Sequence, residues 1–273
     1  MDSEKSGGLC ASAFCYRKEA GAKMSFTSSL KKIRQDRVPV CSAVIAAAGA
    51  SQRMSGEDKL FIEIDGAPVL AHTLAAFQNC GYISETIIVV RDDMTERVIA
   101  ICEQFGITKA AKLIIGGPTR LLSVLNGVYA VSEKAGLIAI HDGARPCIDP
   151  GTIERAILSA AKYNAAAPAV PVSSTIKRVR DGTVTETLDR EDIFEVQTPQ
   201  VFTAELIKAA LTNACNRSID VTDDCKAVEI IGAAVRITEG SRNNIKITTS
   251  EDVIIAEAIL KAGSAGVRSQ KCE

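Results

Sequence analysis

The chain has 273 residues, 47% hydrophobic and 24% charged; a chain of this size buries roughly three quarters of its unfolded surface, and the composition excludes wholesale disorder, collagen and coiled coil. No run approaches the roughly 18 apolar residues of a membrane helix, and aromatics at 4% without Trp speak against stacked nucleobases or an aromatic-rich partner surface. The formal net charge of −1 is uneven: residues 1–37 hold eight Lys/Arg against four acids, a net of +4, which leaves −5 on a body without the basic balance of a nucleic-acid binder.

Residues 1–37 are rich in Ser, Gly and Lys and show no sustained periodicity, so a disordered basic leader is expected, with Met24 as a second plausible start. A targeting peptide is the alternative, against which Asp2, Glu4 and Glu19 count. The pattern changes at Val40. Val40 to Ala46 is an apolar run with the character of a strand buried on both faces. A helix over 68–80, a strand over Thr86–Val90, a helix over 93–105 and a strand over Ala111–Ile115 follow. A helix is expected to open at Pro118, the favoured first helical position. Leu137 to Ile140 is a fourth strand leading into His141-Asp142-Gly143, and a helix is expected over 151–163. Strands alternating with helices predict a mostly parallel, twisted sheet flanked by helices.

The alternation then breaks. Residues 175–187 are two β-branched segments around Asp181-Gly182, a hairpin signal that fits either a surface ribbon or an arm gripping a second subunit. After it come a strand at Glu195–Gln197, helices near 203–214 and 223–231, strands around 234–238 and 245–248, and a closing helix over 250–262. The domain expectation is a leader (1–37), one body (38–262) with an arm at about 172–190, and a flexible tail (263–273). Nine cysteines, an odd number without a Cys-x-x-Cys pair, read as reduced thiols in a reducing compartment.

In such sheets ligands bind beyond the C-terminal strand ends. Strand one ends in AAAGASQRMSGEDKL, which lacks the glycine pattern of a dinucleotide fingerprint or a P-loop. Its bare Ala47, Ala48 and Gly49 suit either a tight strand exit or a backbone that cradles phosphate, with Arg53 and Lys59 as candidate cations. Asp142 suits either a Mg²⁺-holding carboxylate at a strand tip or a turn aspartate. His141, with only His72 elsewhere, has no histidine relay and reads as structural. Asp189-Arg190, Thr198-Pro199-Gln200, Thr222-Asp223-Asp224 and Asn244-Ile245-Lys246 form a third group, suited to an anionic acceptor or to caps and surface positions, Thr222 reading as an N-cap.

VIAAAGASQRM, GGPTRLLS, HDGARPCI, PVSSTIKRV, TLDR, VQTPQVF, VTDD and NNIKITTSED occur in one order over residues 40–262. In this the chain resembles the 2-C-methyl-D-erythritol 4-phosphate cytidylyltransferase family of non-mevalonate isoprenoid biosynthesis. The resemblance implies a Rossmann-like nucleotide-diphospho-sugar transferase fold, CTP and Mg²⁺ as ligands, a homodimer joined through β-arms, and a cytoplasmic enzyme, or an organellar one if the leader is a targeting peptide. Arg53 and Lys59 match the basic pair acting on the triphosphate, and Asp142 the metal-binding aspartate. Ala47, Ala48, Gly49, Gly117 and Ser123 match positions around the cytidine. Thr175, Arg190, Thr198, Thr222 and Lys246 match positions holding the methylerythritol phosphate, with Arg190 and Lys246 orienting it and Thr175 serving the neighbouring subunit. Pro118 departs from the acidic residue of many relatives, Leu121-Leu122 replace a more polar pair, and Asp58 stands where a proline often precedes Lys59. A pentitol-phosphate cytidylyltransferase shares most of these motifs; a non-catalytic nucleotide-binding module and a nicotinamide-dependent oxidoreductase are more distant alternatives.

Overall fold

A strand that alternates apolar side chains to both faces needs a layer of helices on each side. The computed structural model, which describes residues 38–49 and 58–269 with side chains through 263, has that arrangement. The leader 1–37, Arg53 with the rest of 50–57, and residues 270–273 lie outside the described residues. From Val38 onward the chain clusters as a unit of its own.

The elements in chain order are β1 (Cys41–Ala46), a small β2 (Glu63–Ile64) and β3 (Ala67–Pro68) hairpin, α1 (Val69–Asn79), β4 (Ile83–Val90), α2 (Thr95–Gln104), β5 (Ala110–Ile115), α3 (Arg120–Ala130) and β6 (Leu137–Asp142). Then come α4 (Pro150–Tyr163), β7 (Ala165–Pro171), β8 (Lys177–Arg180), β9 (Thr183–Thr187), β10 (Phe194–Val196), β11 (Gln200–Thr203), α5 (Ala204–Asn216), α6 (Asp224–Ile230), β12 (Arg236–Glu239) and α7 (Ser250–Ser269). The main sheet runs β10-β7-β11-β6-β1-β4-β5, with β12 also paired to β7. Strands β6, β1, β4 and β5 are parallel, while β11 and β10 run antiparallel to their neighbours.

The period of two sorts each strand between two cores. Cys41, Ala43 and Ile45 of β1, Ile88 and Val90 of β4, and Leu137 and Ala139 of β6 pack with α1, α2 and α4 around Phe77, Leu74 and Ile157. Val44, Ile87, Val89, Ile138 and Ile140 face the other way, against Val124 and Val128 of α3 and Ile207 and Leu211 of α5. Helix α3 lies close against the sheet: a Cβ on Gly127 would stand 2.6 Å from both Val44 and Val89. The hairpin β8–β9 has the expected turn, Asp181 and Gly182 both at positive φ, and exposes every residue of both strands.

Several elements differ from expectation. Strands β7 and β11 stand where no element is expected, while 245–248, expected as a strand, has no regular structure because Ile247 N–H finds the carbonyl of Ala144 (2.9 Å) rather than a strand edge. Helix α3 opens at Arg120 instead of Pro118, since the Thr119 hydroxyl caps it by accepting Leu122 N–H. Asp223, not Thr222, caps α6 by accepting Lys226 N–H. Helix α7 runs past the expected end at 262.

Ala166 pairs with both Val201 and Arg236, and Ala169 with both Val196 and Glu239. Strands β11 and β10 therefore follow one another along one edge of β7, and β12 takes the other. The gap between them, Gln197-Thr198-Pro199 with a cis Thr198–Pro199 peptide, lies beside the tip of β6.

Candidate active site

The chain leaves β1 toward β4 and β5 on one side and reaches β6 on the other, so a crevice opens where the strand order reverses. Ala46 and Asp142 are direct partners across β1 and β6. Small residues keep these tips bare. A Cβ on Gly116, just beyond β5, would meet Ala48 Cβ at 2.4 Å and Ser123 Oγ at 2.8 Å; one on Gly143 would stand 3.3 Å from Ala46 O, Ala47 and Leu70. Ala46, Ala47, Gly49, Lys59, Leu60, Arg120, Asp142, Ala144 and Lys246 line the resulting cavity of about 170 Å³.

One carboxylate sits among cations there. Asp142 Oδ2 is 3.0 Å from Lys246 Nζ and 3.4 Å from Arg145 Nε, and its Oδ1 is 3.9 Å from Arg120 Nη2. Burial by itself would raise the Asp142 pKa, but Lys246, Arg120 and Arg145 together overcome it and hold the carboxyl well below the usual range. Lys59 donates to Ile247 O at 2.9 Å; burial and the nearby Lys246 push its pKa down, against the pull of Asp142, Asp58 and Asp252. The crevice lining holds Lys59, Lys246 and Arg120 against one carboxylate, Asp142. It is built for an anion.

Arg120 is anchored from behind. Its guanidinium donates two parallel bonds to Asp224, 3.0 and 2.8 Å long, and Asp224 is fully buried. Gln200 fixes that carboxylate's backbone by accepting the N–H groups of Asp224 and Cys225, and its amide donates to Asp223.

Thr198 braces the β6 tip. Its hydroxyl oxygen accepts Asp142 N–H (3.2 Å) and lies 2.9 Å from His141 Nδ1. His141 Nε2 lies buried beside the Phe77 ring with no hydrogen-bond partner among the described residues. Burial pushes the His141 pKa down to about 3, so the ring is neutral and structural, as expected.

The expected site residues divide into groups. Ala47, Gly49, Lys59, Asp142 and Lys246 line the one crevice. Ala48 packs against Gly116, and the Ser123 hydroxyl ties Gly117 N–H and the carbonyls of Gly117 and Thr119, so Ser123 shapes the loop through its backbone. Thr175 and Arg190 are exposed on the arm, Arg190 donating to Ser173 O; Thr222 is exposed just before α6. None of these three lines the cavity. Gln200 and Asp224, candidates for an anionic acceptor or for caps, instead hold Arg120 in place, and Arg120 and Arg145 are site residues that the sequence reading does not single out. Arg145 had a signal, standing three residues after Asp142, and so did Arg120, a cation beside two glycines at a helix start.

Residues 41–262 match the family model described as IspD, 2-C-methyl-D-erythritol 4-phosphate cytidylyltransferase. The chain belongs to this cytidylyltransferase family. Among its relatives, the 2-C-methyl-D-erythritol 4-phosphate cytidylyltransferase of Halalkalibacterium halodurans is 44% identical over 220 residues, covering 80% of this chain and 96% of that protein. The solved 4-diphosphocytidyl-2C-methyl-D-erythritol synthase of Anaerococcus prevotii superposes with a TM-score of 0.74 at 32% identity, over 84% of this chain and 99% of that one. The Thermus thermophilus cytidylyltransferase gives 0.66 at 29%, over 81% and 98%. These cytidylyltransferases carry the Rossmann-like nucleotidyltransferase fold that the motifs implied. No helix among the described residues is long and apolar enough to cross a membrane.

Proposed function

We propose that the chain transfers the cytidylyl group of CTP to 2-C-methyl-D-erythritol 4-phosphate, yielding 4-diphosphocytidyl-2-C-methyl-D-erythritol and pyrophosphate. The observation that carries this reading is the crevice in which Lys59, Arg120, Arg145 and Lys246 gather around Asp142, the one carboxylate in its lining. A 4-phosphate oxygen of the acceptor attacks the α-phosphorus of CTP; a P–O bond forms there while the bond to the oxygen bridging the α- and β-phosphorus breaks. A phosphate monoester with its second pKa near ~6 is mostly a dianion at neutral pH, so no general base is needed. His141, buried and bonded to Thr198, has no part in proton transfer. The protein's work is alignment of two anions and neutralisation of growing charge by Lys59 and Lys246, with Arg53 assigned to the same task.

Asp142 suits a divalent cation: it is ionised, at a strand tip, and the freer of its oxygens, Oδ1, has Arg120 at 3.9 Å as its charged neighbour among the described residues. One carboxylate is the usual protein share of a Mg²⁺ site completed by substrate phosphates. Mg²⁺ there would neutralise triphosphate charge. The surrounding cations give the chain little affinity for the bare ion, which makes binding depend on nucleotide.

Two copies joined through their arms would bring Thr175 and Arg190 of one to the crevice of the other; Val179 and Val184, more than half exposed on the arm, support such pairing. The body from 38 to 262 is the catalytic unit in this reading. Unbonded thiols at all six described cysteines support a reducing, cytoplasmic setting.

The test is pyrophosphate release from CTP, UTP, ATP and GTP against methylerythritol phosphate and ribitol phosphate. Turnover with CTP and methylerythritol phosphate is expected. Preference for ribitol phosphate would reassign the acceptor, and no turnover with either would refute the reading.

A further inference from the structure

We propose that Asn244 is a positioning residue for the transfer reaction, fixing the 244–247 segment so that Lys59 and Lys246 stand on either side of Asp142 without itself touching substrate. The inference rests on the cytidylyltransferase reading and extends it to a residue outside the crevice lining.

Three cations of the site meet on this short segment, which has no helix or strand bonds to hold it. Arg145 Nη1 donates to the carbonyl of Asn244 at 2.7 Å, and Lys59 Nζ donates to the carbonyl of Ile247 at 2.9 Å. Lys246, between them, reaches Asp142 at 3.0 Å. Moving the segment therefore moves Lys246 and removes the carbonyl acceptors of the other two at once.

The side chain that ties the segment down is Asn244, which is fully buried. Its Nδ2 donates to Thr198 O at 2.9 Å and more weakly to Gln197 Oε1 at 3.4 Å. That orientation follows from its neighbours. Gln197 is itself oriented by Ser241, whose carbonyl takes Gln197 Nε2 and whose N–H gives to Gln197 Oε1, so both groups facing Asn244 are acceptors. Thr198 is also the residue whose hydroxyl accepts the Asp142 N–H. Asn244 thus links the wall behind Asp142 to the segment in front of it, two residues from the lysine that contacts the carboxylate.

Asn244 Oδ1 is buried with no hydrogen-bond partner among the described residues. A buried unpaired carbonyl is a standing cost, and an apolar side chain of similar size would fill the space without it. Packing alone does not call for an amide here; a directed donor to Thr198 does. Small displacements matter at such a site because transfer depends on aligned charges.

The experiment is a double-mutant cycle on the full chain, with kcat and KM read from pyrophosphate release and folding checked by thermal melt. Asn244→Ala is expected to lower kcat about tenfold while leaving KM for CTP within about threefold. In the Lys246→Met background the same change is expected to cost about threefold, less than in the wild type, because one of the two lysines that Asn244 positions is already gone and only Lys59 is left to be displaced. Full additivity of the two losses, or an unchanged kcat in Asn244→Ala, would overturn the proposal. Should Asn244→Ala fail to fold, Asn244→Ser, too short to reach Thr198 O, is carried through the same cycle with the same expectation. Absence of turnover in the wild type would overturn the cytidylyltransferase reading and this proposal with it, whereas wild-type turnover with an additive cycle would sink only the proposal.

Discussion

Lys246→Met keeps the aliphatic stem and removes the charge that sits 3.0 Å from Asp142 Oδ2. Unit charges about 4 Å apart interact by about 4 kcal/mol at an effective dielectric of 20. The lysine side chain is 41% exposed, and screening by solvent reduces that figure to about 2 kcal/mol. Expressed in the transition state, this is about a 30-fold loss of kcat. A competing account would have Asp142 take up a proton once its lysine is gone. The structure argues against it: Arg145 at 3.4 Å and Arg120 at 3.9 Å remain on the carboxylate and keep it ionised at neutral pH. The deficit should therefore be the same at pH 6.5 and pH 8 in a pyrophosphate-release assay. A loss smaller than about threefold would remove Lys246 from charge neutralisation. A deficit that disappears as pH rises would show that protonation of Asp142, not the missing ammonium, was the cause.

Arg190→Ala is expected to raise the acceptor KM or slow turnover with CTP affinity intact, measured by initial rates against each substrate in turn; a selective loss of CTP affinity would contradict its place on the acceptor. Arg120→Met strands the fully buried Asp224, at a cost of about 3–5 kcal/mol at pH 8. Burial already raises the Asp224 pKa against Arg120's pull, so without Arg120 the folded state binds the extra proton and stability falls as pH rises through the folded pKa. Urea midpoints should then be lower at pH 8 than at pH 5; equal midpoints would refute it. His141, pushed down from 6.5 to about 3, stays neutral in the fold while the unfolded chain takes up a proton. Its contribution is complete above pH 6.5 and is lost progressively down to about pH 3, at up to about 1.4 kcal/mol per pH unit. Urea unfolding from pH 7 to 4 should show a shallower decline in His141→Gln than in the wild type, and identical slopes would exclude the histidine as their source.

The parallel half of the sheet was legible because β1, β4, β5 and β6 are apolar enough to be read without context, and helical segments alternate with them. The hairpin was legible from Asp181-Gly182, whose positive φ angles fit only such residues cheaply. β7 was not. Its sequence, AAAPAVP, has weak strand preference and two prolines, residues that a central strand ordinarily refuses. The fold admits Pro168 because its carbonyl accepts Gln197 N–H at the break between β10 and β11, so the missing donor faces a place where the partner strand is interrupted. Ile245 to Thr248 carries a strand's alternation but receives no strand edge, and its bonds go to Ala144 and Lys59 instead.

For the site, the sequence by itself determined which residues are candidates, the bare strand tips, the carboxylate at Asp142 and the lysines at 59 and 246, while tight turns, caps and surface positions stayed open beside them until the family resemblance singled these residues out. Tertiary structure alone decided which distant cations join the neighbouring Arg145 on that carboxylate. Arg120, Arg145 and Lys246 come from three separate segments, and Asp224, which holds Arg120, lies 104 positions further along the chain. Local pattern carries no information about the pairings of Arg120 and Lys246, because they arise from sheet order and from the break that sets Thr198 against His141 and Asn244. The same physics explains the expected N-caps that moved by one or two residues: Thr119 and Asp223 won because their side-chain oxygens, once the backbone was placed, were the ones within reach of free N–H groups.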